Sequence, residues 1–445
     1  MQLLNLPDEL LLDIGSRIRS QSDLNALSRA NRYLNNLLTP ELYHRDALTK
    51  KSMLWAAEMG RPETLKQAQS FGIVSDLDTG RLLHLAAANG RVSILEYLLP
   101  VEHDGVLNDP QFDGDRLTTP LAAACRYGHN GAVKILLDHG ADHAVGDDRG
   151  FQPLHLAATF GSPIVAELLL DSGADISAVD AHRWMPLHFA CVNGNLAAAE
   201  LLIDRGADIF AKCLRMSQNS LSLAVRSGNT ELVKLIISKG YHPMGGVYRD
   251  THRETTLLHR VARQSHLEIA KLLVSCGSQV SARTKTGATV LDWAVMGGSV
   301  SMVRFILESG AEIATTNTIG VSALHLAAFQ APPEVLRMLI SAGYDVNLGT
   351  LNNGYTPLYE AVRSGRPEAM QVLLAEGADV NVALSNGETL LHVAAAAWNA
   401  SVDVVRLLVE KGADTAAQDS RGMTPLDLAV SAGNDDVERL LSRKA

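Results

Sequence analysis

The sequence predicts an all-α protein: a solenoid of about twelve stacked helix-turn-helix units with projecting loops, preceded by a small three-helix domain. Three observations predict it. A motif built on a Pro-Leu pair returns at a fixed interval, with Pro120, Pro153 and Pro186 spaced by 33 and 33. The composition, 47% hydrophobic and 20% charged over 445 residues, is that of a folded chain. The first fifty residues are leucine-rich and helical in rhythm, yet share nothing with the repeat.

Bulk properties exclude several classes. A net charge of -10 is mild and argues against non-specific nucleic-acid binding by the whole chain. The first fifteen residues carry acids where a secretory leader would carry Lys or Arg, and no long uncharged apolar run follows, so neither signal peptide nor membrane span is expected. Cys125, Cys191, Cys213 and Cys276 lie far apart without CxxC pairing, which predicts reduced thiols of an intracellular protein, cytoplasmic or nuclear, and no metal site.

The N-terminal domain is assigned to residues 1–48. Pro7 falls in the first turn of a helix, where Asp8 and Glu9 suit the dipole. Leu10, Leu11, Ile14 and Ile18 then recur on one apolar face. Ser22 or Asp23 caps a second helix carrying Leu24, Leu27, Leu34, Leu37 and Leu38, and Pro40 and Glu41 begin a short third one ending near Leu48. Three such helices make a unit too small to be comfortable alone.

This segment resembles the F-box family. The resemblance rests on Leu6-Pro7 followed by Glu9-Leu10-Leu11 and Ile14, then on DLNALSRANRYLNNLL in the place of that family's Leu-rich second helix. It implies that Leu6, Pro7, Leu10, Leu11 and Ile14 contribute to docking on a Skp-type adaptor, which carries a cullin scaffold and a ubiquitin-conjugating enzyme. An alternative reading makes residues 3–48 a cap that shields the apolar end of the following stack.

The remainder, 49–445, is the repeat array. TPLAAACRYGHNGAVKILLDHGAD from Thr119 is echoed by QPLHLAATFGSPIVAELLLDSGAD from Gln152 and MPLHFACVNGNLAAAELLIDRGAD from Met185. The same position falls at Ser220, Leu257, Val290, Ala323, Pro357, Leu390 and Pro425, and earlier at Leu82 and a degenerate Met53. Thr119-Pro120 starts a helix with a capping hydroxyl and a residue whose missing N–H is not needed there. Ala157 and Ala158 let a neighbouring helix approach, Leu168 and Leu169 form the stripe of the second helix, and Gly173 ends that helix at positive φ. No unit buries enough surface alone, so stability comes from stacking.

Irregular intervals locate interruptions. Met53 to Leu82 is 29, which predicts a shortened first unit near 50–77; Leu82 to Pro120 is 38 and Ser220 to Leu257 is 37, which predict enlarged loops near 100–117 and 241–255. Cys125 and Cys191 occupy equivalent places two units apart, about 20 Å at about 8–10 Å per helix layer, so they cannot bridge.

The motif TPLHxAAxxGxxxxVxxLLxxGAD resembles the ankyrin repeat, and the resemblance covers nearly everything after residue 50. His84, His155, His188, His259, His325 and His392 share one position of successive units, where other units carry Asp292, Asp427, Tyr359, Ser222 or Ala122; they are read as structural, each bonding a neighbouring loop. No nucleophile elbow, phosphate-binding loop or HExxH is present, so no enzyme and no cofactor is expected. Resemblance to this family implies protein binding through loop tips and the exposed face of the first helices.

The positions matching that surface include Arg126 with Tyr127, Thr159 with Phe160, Arg226 with Ser227, Arg263 with Gln264, Phe329 with Gln330, and the tips Arg149, Phe151, His182, Trp184, Arg215, Arg253, Lys285 and Tyr355. Phe160, Trp184, Arg215, Arg226, Arg253, Arg263 and Lys285 gather base beside aromatics and are the candidate client-binding residues, fitted to an acidic or phosphorylated protein segment. Together the two resemblances imply the substrate receptor of a cullin ubiquitin ligase; the alternative is an ankyrin scaffold with no ubiquitin role.

Overall fold

The computed structural model describes residues 51–443 except 71–75, 101–105, 114–115, 161, 214–217, 242–254 and 398–401. The predicted N-terminal domain, with Leu6, Pro7, Leu10, Leu11 and Ile14, lies outside the described residues, as do Arg215 and Arg253. Among the described residues there are 24 α-helices and one two-stranded sheet, and contacts divide the chain into two compact units at Leu214 and Arg215.

The helices come in pairs. In the first unit these are α1 Lys51–Met59 with α2 Pro62–Ser70, α3 Asp76–Ala88 with α4 Val92–Leu98, α5 Pro120–Arg126 with α6 Asn130–Asp138, α7 Pro153–Phe160 with α8 Pro163–Asp171, and α9 Pro186–Val192 with α10 Leu196–Asp204. The second unit holds α11 Ser220–Ser227 with α12 Thr230–Ser238, α13 Leu257–Gln264 with α14 Leu267–Ser275, α15 Val290–Gly297 with α16 Val300–Glu308, and α17 Ala323–Gln330 with α18 Pro333–Ser341. It ends with α19 Pro357–Arg363 and α20 Pro367–Ala375, α21 Leu390–Ala396 and α22 Val402–Glu410, and α23 Pro425–Ala432 and α24 Asp435–Ser442. From Pro120 onward, every repeat position read from the sequence is the first residue of a helix.

Local chemistry sets these boundaries. Thr119 Oγ1 accepts from the Ala122 N–H at 3.2 Å, so the hydroxyl before Pro120 caps α5 as its type predicts. Gly173 adopts φ 94° after α8, where a side chain would be strained. Ala157 and Ala158 are fully buried, and α7 packs on both α5 and α9. Leu169 is buried on α8 while Leu168 is only partly covered, so the stripe of the second helix is narrower than the Leu-Leu pair suggests.

Close packing between first helices reaches its limit at Gly297. A Cβ there would stand 2.6 Å from the Arg263 carbonyl oxygen and 2.9 Å from that of Ala262. Both opposing atoms are backbone and cannot rotate away. Gly297→Ala should therefore destabilise the second unit by about 1–3 kcal/mol, measured by urea unfolding, although Ala is the better helix former.

The described part of the enlarged loop before Pro120 holds secondary structure that its polar sequence does not predict. It carries a short 3-10 turn, Val106–Asn108, and a hairpin of β1 Gln111–Asp113 against β2 Arg116–Thr118, antiparallel with Phe112 opposite Leu117. Thr118 at its end lies 2.9 Å from His84 Nε2, which ties the hairpin to α3. Asn108, Pro110 and Gly114 dominate the segment, so its strands are too short to be read from periodicity.

Candidate protein-binding surface

Between helix pairs the chain forms a tight hairpin loop, and the same acceptor holds most of them. Asp147 Oδ1 accepts from the N–H groups of Arg149 and Phe151, both at 2.9 Å, and Asp180 Oδ1 from those of His182 and Trp184 at 2.9 and 2.7 Å. Asn317 and Asp419 do the same for Ile319 with Val321 and for Arg421 with Met423. Adjacent tips are then linked: Ala181 N–H donates to Arg149 O at 3.0 Å, Thr318 to Thr286 at 3.0 Å, Leu351 to Ile319 at 3.1 Å and Ser420 to Asn386 at 3.1 Å. These bonds join neighbouring tips into an edge: one pair in the first unit, and in the second a run of three tips and a further pair.

The histidine row locks this edge to the helices. In α7 and α9, Nδ1 of His155 and His188 accepts the N–H of Gln152 and Met185, at 3.1 and 2.9 Å. The opposite nitrogen reaches a carbonyl of the next hairpin: Ala178 and Trp184 for His155, Ala211 for His188, Tyr355 for His325 and Met423 for His392. Burial holds His155, His188 and His325 below the usual imidazole range and pushes His259 down to about 4. His259 Nε2 faces the Ala282 and Ala288 carbonyls without a bond of ordinary length, which accords with its larger displacement. Where Asp replaces His the first bond survives, from Thr289 N–H to Asp292 Oδ2 at 2.7 Å and from Thr424 N–H to Asp427 Oδ2 at 2.8 Å. Where the position carries His, Ser or Asp it supplies an acceptor three residues into the helix, and Ala122 shows that the helix also forms without one.

The surface beside this edge carries the candidate residues. Phe160 is 59% exposed at the end of α7, with the Arg126 guanidinium 5.8 Å from its ring centroid, and Tyr127 is 50% exposed after α5. Trp184 is only half-exposed: its ring packs 5.2 Å from Phe189, which also receives Phe151 at 4.7 Å. In the second unit Arg226 and Arg263 are exposed at the same register of consecutive first helices, and the Arg263 guanidinium lies 5.6 Å from the Trp293 ring centroid. Lys285 is exposed on a hairpin tip. Phe160 and Trp184 belong to the first unit and Arg226, Arg263 and Lys285 to the second.

The profile of the family described as Ankyrin repeats (3 copies) matches residues 83–180, 143–213, 178–246, 221–317, 312–383 and 376–445. This chain belongs to the ankyrin-repeat family. Curated relatives share it in part: the tyrosine-protein kinase Shark of Drosophila melanogaster is 30% identical over 25% of this chain and 12% of its own. The E3 ubiquitin-protein ligases KEG and XBAT32 of Arabidopsis thaliana are 26% and 32% identical over 41% and 28% of this chain, and over 12% and 24% of theirs. The chain thus matches less than a quarter of each of these relatives. Ankyrin repeats are protein-interaction elements and generally non-catalytic.

The ankyrin surface also holds residues that reading by residue type overlooks. Ile319 and Leu351 are 51% and 74% exposed on adjacent, hydrogen-bonded tips. Nearby positions of the same two repeats place the Arg363 guanidinium 5.4 Å from the Phe329 ring centroid and stack Tyr355 on Tyr359 at 4.0 Å. The signal available for them was their place in the repeat register; a search for basic and aromatic types passes over Ile and Leu. No described helix is long and apolar enough to cross a membrane.

Proposed function

We propose that this ankyrin protein is the substrate receptor of a cullin-based ubiquitin ligase inside the cell, with residues 3–48 docking on a Skp-type adaptor and the repeat surface holding a client. The observation that carries the client half is the set of large side chains left exposed where the fold does not need them: Tyr127, Phe160 and Phe329 at the ends of first helices, each at least 42% exposed. In the first unit the Arg126 guanidinium, and in the second those of Arg263 and Arg363, stand over aromatic rings, and Arg and aromatic side chains are the types enriched at interface hot spots. The client segment is acidic or phosphorylated, because Arg226, Arg263 and Lys285 share the exposed side.

Support for the adaptor half comes from the Leu6-Pro7, Glu9-Leu10-Leu11 and Ile14 pattern, and from the presence of two ubiquitin ligases among the relatives. The receptor contributes proximity and orientation; the transfer chemistry belongs to its partners. The second reading is an ankyrin scaffold with residues 3–48 as a cap, favoured by the family match, which begins at residue 83 and rests on the repeats alone.

Co-purification with a Skp-type adaptor separates them. The intact chain is expected to capture adaptor stoichiometrically, and a Leu6→Asp, Leu10→Asp variant, its helicity checked by circular dichroism, is expected to lose it. No capture by the intact chain would overturn the receptor reading and leave the scaffold.

A further inference from the structure

Three residues before the start of its helix pair, nearly every described hairpin turns through a glycine. Gly150, Gly287, Gly320, Gly354, Gly387 and Gly422 all have φ between 67° and 84°. In the hairpin before α9 that position is Arg183, at φ 59°. A β-carbon in this conformation is strained, and glycine would serve the turn better. This hairpin thus differs from the glycine-turned ones in presenting a long basic side chain at the turn.

Its surroundings say what it could take. Arg183 and His182 are exposed on one tip, and Arg149 is exposed on the preceding tip, joined to the first by the Ala181 N–H to Arg149 O bond at 3.0 Å. Asp147 and Asp180 each direct Oδ1 at two backbone N–H groups of their own hairpin. Among the described residues neither Arg149 nor Arg183 forms a salt bridge, and the exposed Asp148 directly precedes Arg149. On the same two hairpins Phe151 and Trp184, both half-exposed, rest on the buried Phe189 and offer an apolar patch.

We propose that Arg149 and Arg183, on the hairpins that also carry Phe151 and Trp184, form the anchor for an acidic protein segment whose carboxylates flank one apolar side chain. Guanidinium forks pair with carboxylates in a bidentate manner, the neighbouring aromatics lower the local dielectric, and the apolar residue covers the rings. A polyphosphate chain fits less well, since it has no apolar side chain to cover the Phe151 and Trp184 rings. This rests on the reading of the chain as a client-binding ankyrin protein, and moves the acidic-segment contact from Arg226 and Arg263 to the strained tip of the first unit.

The test is selection of a displayed library of random, unphosphorylated peptides on the full chain, with the adaptor absent. Peptides combining Asp or Glu with one large apolar residue should be enriched, and their synthetic forms should bind with salt-sensitive affinity. Arg183→Gly should unfold at the same or a higher temperature than the natural chain yet bind these peptides about tenfold more weakly or worse, and Arg149→Ala should weaken binding comparably. Enriched peptides without acids, affinity unchanged in both variants, binding only by a phosphoserine counterpart, or no enrichment would each overturn the assignment. Binders insensitive to both arginines would remove this anchor while leaving the interaction role intact, and failure of adaptor capture bears on neither.

Discussion

Between neutral pH and about pH 4 the protein should lose several kcal/mol of stability, because a row of buried histidines must be charged. In the folded state burial holds His155, His188 and His325 below the ordinary value of 6.5, and His259 titrates only at about 4. The unfolded chain therefore binds more protons than the native one in this window. The contribution is present in full above about pH 6.5 and is lost as the pH falls toward the native values. A displacement as large as that of His259 corresponds to roughly 3 kcal/mol, with the others adding smaller amounts in the same direction. Asp292 acts oppositely: burial raises its carboxyl, so acid relieves a buried charge there and offsets part of the loss. Thermal unfolding followed by circular dichroism across this range measures the slope. His259→Gln, whose amide oxygen can still accept the Thr256 N–H, should flatten it, and an unchanged slope would show that the row does not control acid unfolding.

Leu169→Ala should cost about 2–5 kcal/mol, as deletion of a fully buried branched side chain from a packed core does. Leu169 has 0% of its surface exposed on α8, and α8 packs against both α6 and α10. In a stack whose stability is a sum of nearest-neighbour interfaces, one cavity weakens two of them. Ile164 on the same helix is 52% exposed, and Ile164→Ala should stay within about 0.5 kcal/mol. Urea denaturation of both variants decides the matter: comparable losses would mean that the burial of Leu169 does not set its contribution.

Much of the fold was legible because one pattern is written many times. The Pro-Leu position marks a helix start at Pro120, Pro153, Pro186, Pro357 and Pro425, and also where Pro is replaced, at Ser220, Leu257, Val290, Ala323 and Leu390. Repetition let the register carry across such substitutions, which a single helix would not allow. The histidines were likewise readable as structural, since His188 and Asp292 stand at one position and make the same backbone bond. The surface was less legible. Residue type pointed to Trp184 as a projecting anchor, yet its ring is half-covered against Phe189. Leu351, by type a core residue, is 74% exposed.

By itself, then, the sequence determined the repeating unit, its helix starts and its terminating glycines, because caps, prolines and positive-φ positions act within a few residues of the chain. Only the tertiary structure decided which side chains remain outside the stack. Exposure at a tip such as Leu351, or the bond that brings the tips of Arg149 and Arg183 together, depends on how each loop folds and meets its neighbour some thirty residues away. Local chemistry writes the unit, and contacts between units select the surface it presents.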